Sequence, residues 1–242
     1  TPFTPGNDLV LTIDEELQNK IYQVLKSRLG DKKSGAVIVS NPQNGEILAL
    51  VDYPAYDNNL FSLGIESDKY QALLNDFRNP LFTRSIFGEY PSGSTVKPVI
   101  AAGALQEGVI TPNTSINSVG GIRVDKWFFP DWKTGGHGFT NVYRALAWSI
   151  NTFFYYLGGG YGDFKGLGID RLTKYMRLFG LGEKLGIDLP GERAGFIPSK
   201  DWKEKEKKEP WYIGDTYHLS IGQGDLLVTP LQVNSYNSTI AN

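Results

Sequence analysis

Two short apolar runs joined by turn chemistry constrain this chain more than any other feature. Gly35-Ala-Val-Ile-Val-Ser40 and Glu46-Ile-Leu-Ala-Leu-Val51 flank Asn41-Pro-Gln-Asn-Gly45, whose closing Asn-Gly favours a tight reversal. They read as an antiparallel hairpin. Just before it, Leu17, Ile21, Val24, Leu25 and Leu29 recur at helical spacing, opened by Asp14 and stopped by Gly30. Residues 53–93 read as a polar connection with a short helix near 68–77. Helices are expected over 94–108, 141–157, 169–179 and 230–241, the last opened by Pro230. Residues 109–140 read as irregular and aromatic-rich, 158–168 as a glycine loop and 181–215 as loop-dominated. A hairpin followed by helices is an α+β arrangement, an antiparallel sheet with helices packed on it. Two strands alone make a poor sheet, so the strands that should complete it are expected to be missing from this chain.

Charge and composition narrow the function. The 24 Lys+Arg against 26 Asp+Glu give a formal net charge of −2, which lacks the basic excess of a nucleic-acid surface. The charge run Lys203-Glu-Lys-Glu-Lys-Lys-Glu209 reads as a solvated face. No apolar run approaches a membrane span; Val99–Leu105 is far too short. The chain has no cysteine, which excludes disulfides, thiol catalysis and Cys-ligated zinc. With only His137 and His218, a histidine metal cage is impossible. No Gly-x-Ser-x-Gly elbow supports a Ser-His-Asp triad.

The chemistry rests on Ser94 and Lys97, the single Ser-x-x-Lys in the chain. At the start of a helix, positions i and i+3 share a face, so the Lys97 amine is expected within hydrogen-bond reach of the Ser94 hydroxyl. A serine needs a base beside it, and a lysine serves once burial lowers its pKa. A second element, Ser-x-Asn, occurs three times. Ser115-Ile-Asn117 reads as turn chemistry and Ser235-Tyr-Asn237 as a solvent face of the last helix. Ser149-Ile-Asn151 lies in the apolar stretch Ala147–Phe154, where polar groups must find partners. It faces a cleft or is a satisfied pair in the core; the residues alone leave both open.

In order and spacing, several segments resemble the transpeptidase domain of class B penicillin-binding proteins. They are Pro5–Asp14, Gly45–Val51, Pro91-Ser-Gly-Ser-Thr-Val-Lys-Pro98, Gly186-Ile-Asp-Leu-Pro-Gly-Glu192, Gly214-Asp-Thr216, Ser220-Ile-Gly-Gln-Gly224 and Thr229-Pro-Leu-Gln232. Gly135-Gly-His-Gly138 is similar to the elongation-type subfamily, penicillin-binding protein 2. The resemblance implies an α+β fold and a D,D-transpeptidase that cross-links peptidoglycan stem peptides and is acylated by β-lactams. Ser94 would attack the penultimate D-Ala, Lys97 would take its proton, Ser149 would relay a proton, and Asn151 would orient Lys97 and hold the substrate amide. It implies no cofactor. Its implied partners are a SEDS-type lipid-II polymerase and other elongation-complex proteins. Its implied place is the extracytoplasmic face of the bacterial cytoplasmic membrane, anchored by one span outside this chain. Residues 1–8 would be a linker from a membrane-proximal module and 9–242 an incomplete transpeptidase domain.

The family's Lys-Thr-Gly strand should follow Gln232. The one Lys-Thr-Gly, Lys133–Gly135, precedes Ser149 in a loop-like stretch and reads as a coincidence. The expectation is therefore a domain cut before its last strands and catalytically incompetent by itself. Asp131 and His137 are weighed as part of a zinc site, but two ligands fall short of the usual four. A serine β-lactamase lacks support because no Glu-x-x-Leu-Asn segment is present. A D-Ala carboxypeptidase would use the same Ser and Lys. A non-catalytic β-lactam sensor or scaffold is the reading from another class.

Overall fold

The computed structural model describes residues 6–242; residues 1–5 of the expected linker lie outside the described residues, and residues 6–8 have no helix or strand. The chain forms two compact units. The first runs through Ser85 and includes Ala241 and Asn242; the second runs from Ile86 to Ile240.

In the first unit, helix α1 (Glu15–Leu29) begins where Asp14 accepts a hydrogen bond from the Leu17 N–H. Glu15 and Glu16 sit at its positive end, Lys26 and Arg28 at its negative end. Gly30 ends it at φ +59°, a conformation costly for other residues, and donates to the Lys26 carbonyl. Strands β1 (Gly35–Ser40) and β2 (Ile47–Tyr53) pair antiparallel from Gly35–Tyr53 to Ser40–Ile47, with an irregularity between Val39 and Ser40. The turn closes as expected: Gly45 donates to the Asn41 carbonyl, and the Asn41 and Asn44 side chains accept from Gln43 and Glu46. The apolar stripe of α1 lies on β2, where the Gln18 side chain accepts from the Leu50 N–H. Helix α2 (Ser67–Asn75) is the short helix expected near 68–77.

The second unit is built around helix α5 (Asn151–Gly159), whose Phe153, Phe154 and Leu157 are fully buried. Each such side chain contributes roughly 1.5–3 kcal/mol by leaving water. Against it pack α3 (Lys97–Gln106), α4 (Val142–Ala147), α6 (Gly168–Leu178) and α7 (Ile213–Ser220). Helix α8 (Pro230–Ala241) places the fully buried Tyr236 in the same core.

Three expectations need correction. Residues 109–140 hold two antiparallel ribbons, β3 (Ile116–Ser118) with β6 (Gly138–Thr140), and β4 (Gly121–Val124) with β5 (Trp127–Pro130). Ser115–Asn117 therefore leads into a strand rather than a turn. Residues 181–215 include a helical turn at Lys200–Trp202 that continues to Lys207. The charge run is not wholly solvated: Lys203 is 4 % exposed and its amine lies 2.7 Å from Asp215. The fold class stands as α+β, with three two-stranded antiparallel sheets among the described residues. No helix among them is long and apolar enough to cross a membrane.

Two segments singled out in the sequence are structural clasps. The Glu192 carboxylate accepts from the Leu185 and Gly186 N–H groups. Thr229 and Gln232 exchange hydrogen bonds at the start of α8, and the Gln232 amide nitrogen donates to the carbonyls of Gly180, Glu183 and Ala194. Gln232 is almost wholly buried, so truncation strands several backbone groups away from water. Gln232→Ala is expected to lower unfolding stability by about 2–4 kcal/mol, read as the midpoint shift in a urea titration; a change below about 0.5 kcal/mol, the usual size for a surface substitution, would contradict the clasp.

Candidate active site

Ser94 does not begin an α-helix. It lies in a 3-10 turn, Gly93–Val96, and α3 starts at Lys97. The turn keeps the two residues one helical step apart while leaving Ser94 exposed. Distant residues tie this loop down. Tyr90 and Val228 exchange backbone hydrogen bonds of 2.9 and 2.8 Å, and the Gly93 N–H donates to Gly222 at 2.8 Å. Thr95 Oγ1 donates to the Ser92 carbonyl and lies 2.7 Å from the Tyr236 hydroxyl. Gly222 must be glycine: its φ is +71°, and a Cβ would run into the Gly93 carbonyl and the Ser92 hydroxyl. The Ser220–Gly224 segment is thus the backing plate of the serine loop.

Lys97 is 1 % exposed. Its Nζ donates to the Ser149 carbonyl at 2.9 Å, to Ser149 Oγ at 3.0 Å and to Asn151 Oδ1 at 2.7 Å. Burial pushes the ammonium down to about 8, and the Asp131 carboxylate pulls it the other way. The expected direct Ser94–Lys97 hydrogen bond is not formed: among the described residues, none joins the two. The physical reason is that Ser149 and Asn151 occupy the amine's three N–H directions.

The residues Ser149–Asn151 do not lie within one helix, as the apolar stretch 141–157 suggests. The helix breaks into α4 and α5. Ser149 sits in the break at φ +52°, unusual for a residue with a side chain, which turns both its oxygens toward Lys97. Ile150 occupies the cap of α5 with no polar side chain to offer. Asp131 supplies the missing acceptor from the β5–β6 loop. Its Oδ2 accepts from the Thr152 N–H at 2.9 Å and the Thr152 hydroxyl at 2.7 Å, while Oδ1 accepts from the Trp132 N–H. This capping role escapes the sequence because 21 residues separate the partners.

His137 stacks on Trp148 and lies edge-on to Trp132. Its Nε2 is 3.8 Å from Asp131, too long for a hydrogen bond. Among the described residues no group of three or more His, Asp or Glu is placed to share a metal ion.

Ser94, Ser149 and Asn151 line one cavity of about 930 Å³, with Trp132, Lys133, His137, Trp148 and Gln223 among its walls. Lys97 lies beneath its floor. Lys133, read as part of a chance motif, is one of the walls, though it stands in a loop and not on a strand. Gln223 was not singled out by residue chemistry; its place two residues after Ile221 in the backing plate is the signal. The third Ser-x-Asn lies in α8, where Tyr236 is buried and Asn237 exposed, away from these walls. An exposed hydroxyl beside a desolvated amine is the equipment of nucleophilic acyl transfer.

A family model described as penicillin binding protein transpeptidase domain matches residues 35–242. The chain is 44 % identical over 235 residues to the peptidoglycan D,D-transpeptidase MrdA of Escherichia coli K12, covering 96 % of this chain and 35 % of the relative. It therefore spans about a third of the length of the curated relatives it matches. The Pseudomonas aeruginosa PBP2 structure in complex with WCK 5153 superposes with a TM-score of 0.88 at 37 % identity, over 98 % of this chain and 52 % of that one. The Helicobacter pylori PBP2–MreC complex gives 0.86 at 39 %, over 95 % and 41 %. Fold, site and likeness converge: the chain belongs to the penicillin-binding protein transpeptidase family.

Proposed function

We propose that this chain carries the serine acyl-transfer machinery of a peptidoglycan D,D-transpeptidase. The observation that carries the reading is the pairing of an exposed serine in a cavity with a fully desolvated lysine one helical turn on. Ser94 Oγ attacks the carbonyl of the penultimate D-Ala. Its proton passes to neutral Lys97 through the Ser149 hydroxyl, which already stands 3.0 Å from Nζ. The amide C–N bond breaks and the terminal D-Ala leaves as an amine, taking the proton back. The amine of a second stem then attacks the ester, forming the cross-link and restoring the Ser94 hydroxyl. The N–H groups at the start of the 3-10 turn favour the developing oxyanion. Asn151 keeps Lys97 in place through Oδ1 and has its amide nitrogen free to meet the substrate.

A β-lactam acylates the same hydroxyl. The role of Asp131 is positional: it fixes the N-terminus of α5 and with it the 149–151 turn. The relative solved with MreC supports an elongation-complex partner for this chain as well; a SEDS-type polymerase is proposed on family likeness alone. Such chemistry belongs on the extracytoplasmic face of the membrane.

Labelled penicillin should mark the full-length protein on a denaturing gel, and Ser94→Ala should carry no label. Persistent labelling of that variant would place the nucleophile elsewhere. Below pH 8 the acylation rate should climb about tenfold per pH unit and level off above it, because only the neutral amine accepts the proton and its fraction grows as pH rises through about 8. Asp131→Asn removes the charge that holds the Lys97 pKa up, so the midpoint of this profile should move to lower pH. A midpoint unmoved or shifted upward would deny Asp131 any electrostatic hold on the base.

A further inference from the structure

The Gly214-Asp-Thr216 segment and the tip of the β4–β5 ribbon take no part in the chemistry above, yet they enclose a second cavity of about 580 Å³. Phe129 forms its floor. Gly214 lets the opposite wall come close, since a Cβ there would stand 2.9 Å from the Phe129 ring. Two of its aromatic walls are exposed, Trp127 at 64 % and Tyr212 at 56 %, and each has a lysine amine over one face of the ring, Lys126 and Lys203, which leaves the other face to a ligand. Asp125, Lys126 and His218, all exposed, stand around them. The wall is stiff. The Asp215 carboxylate holds both the Lys203 amine and the Tyr212 N–H, and Thr216 accepts from the Trp211 ring. Open aromatic faces ringed by hydrogen-bonding side chains suit a ligand with an apolar face and a polar perimeter. A pyranose ring is such a ligand: its C–H face lies on the aromatic ring while its hydroxyl and acetamido groups reach the rim.

Two stretches of backbone join the walls of the groove to those of the Ser94 cavity. His218 lines the groove, and its carbonyl accepts from the N–H of Gln223, which lines the cavity. On the other side β5 runs from Trp127 in the groove toward Trp132 in the cavity, a path of at most about 17 Å for five extended residues. We propose that this groove binds the glycan backbone of the substrate, a β-1,4-linked N-acetylhexosamine strand, while the attached stem peptide enters the Ser94 cavity. The inference rests on the transpeptidase reading. Four residues of extended stem peptide separate the scissile bond from the sugar, about 14 Å, within the upper bound set by the backbone from Trp127 to Trp132.

The test is a titration of the full-length protein with a peptide-free N-acetylglucosamine tetramer, followed by tryptophan fluorescence and calorimetry. Trp127→Ala and Tyr212→Ala alter exposed side chains and should each weaken saccharide binding about tenfold, the loss of one stacked ring. Both variants should raise KM for a glycan-linked donor and leave KM for a free stem pentapeptide and the penicillin acylation rate unchanged. Equal saccharide affinity in variants and wild type, or no saturable binding at millimolar tetramer, overturns the groove assignment. Wild type that penicillin does not acylate overturns the Ser94 reading instead, and the saccharide titration still decides the groove by itself.

Discussion

One buried amine organises the second unit. Lys97 has no carboxylate within hydrogen-bond distance, so its environment is set by two oxygens of Ser149 and one of Asn151. Removing a cation from water is costly, and the outcome here is a lysine drawn down to about 8 instead of a balanced ion pair. That departure from ordinary packing has a direction: it lets the side chain give up its proton near pH 8, well below an ordinary lysine. The strained backbone at Ser149 belongs to the same arrangement, because only a left-handed residue between two helices aims both of its oxygens at one amine.

The amine and the serine are held from opposite sides. Lys97 is fixed by the 149–151 turn, itself fixed by Asp131 through Thr152. Ser94 is fixed by Gly222, Val228 and Tyr236, through the loop residues on either side of it. Neither set of contacts touches the other's side chain. Geometry between the Ser94 hydroxyl and the Lys97 amine is therefore a property of how α3, α5 and α7 pack, not of a bond between the two groups. The absent Ser94–Lys97 hydrogen bond fits this division; the Ser149 hydroxyl, bonded to the amine, lines the same cavity as Ser94.

Much of this was legible in the residues. The hairpin, α1 and its caps followed from Asp14, Gly30 and the Asn41–Gly45 turn, all local signals. Ser94 and Lys97 followed from spacing, and Ser149 was distinguished from two other copies by its apolar neighbours. What escaped was non-local or unmarked. The break at Trp148–Ile150 carries neither Gly nor Pro, so apolar periodicity runs through it unbroken. The β3–β6 ribbon pairs three-residue strands about twenty residues apart, too short to show a strand period. Lys203 looked like one charge among seven because its partner, Asp215, lies beyond the run. Asp131 was considered only as a metal ligand and set aside for want of others, because the Thr152 N–H and hydroxyl that bond to it lie 21 residues on. The likeness to the penicillin-binding proteins filled these gaps for function, while the local geometry had to come from the structure.

The clamp on the serine loop has a consequence for how the chain comes into being. Thr95 meets Tyr236 across a separation of 141 positions. At about 5–20 residues per second, a ribosome needs roughly 7–28 s to make the distance. Throughout that interval the Ser94 loop lacks the contacts to Gly222, Val228 and Tyr236. Ordering of the loop must wait until Tyr236 has been made, a high-contact-order step that is slow by its topology. The loop that carries the Ser94 hydroxyl therefore reaches its final shape only once residues 222–236 have packed behind it.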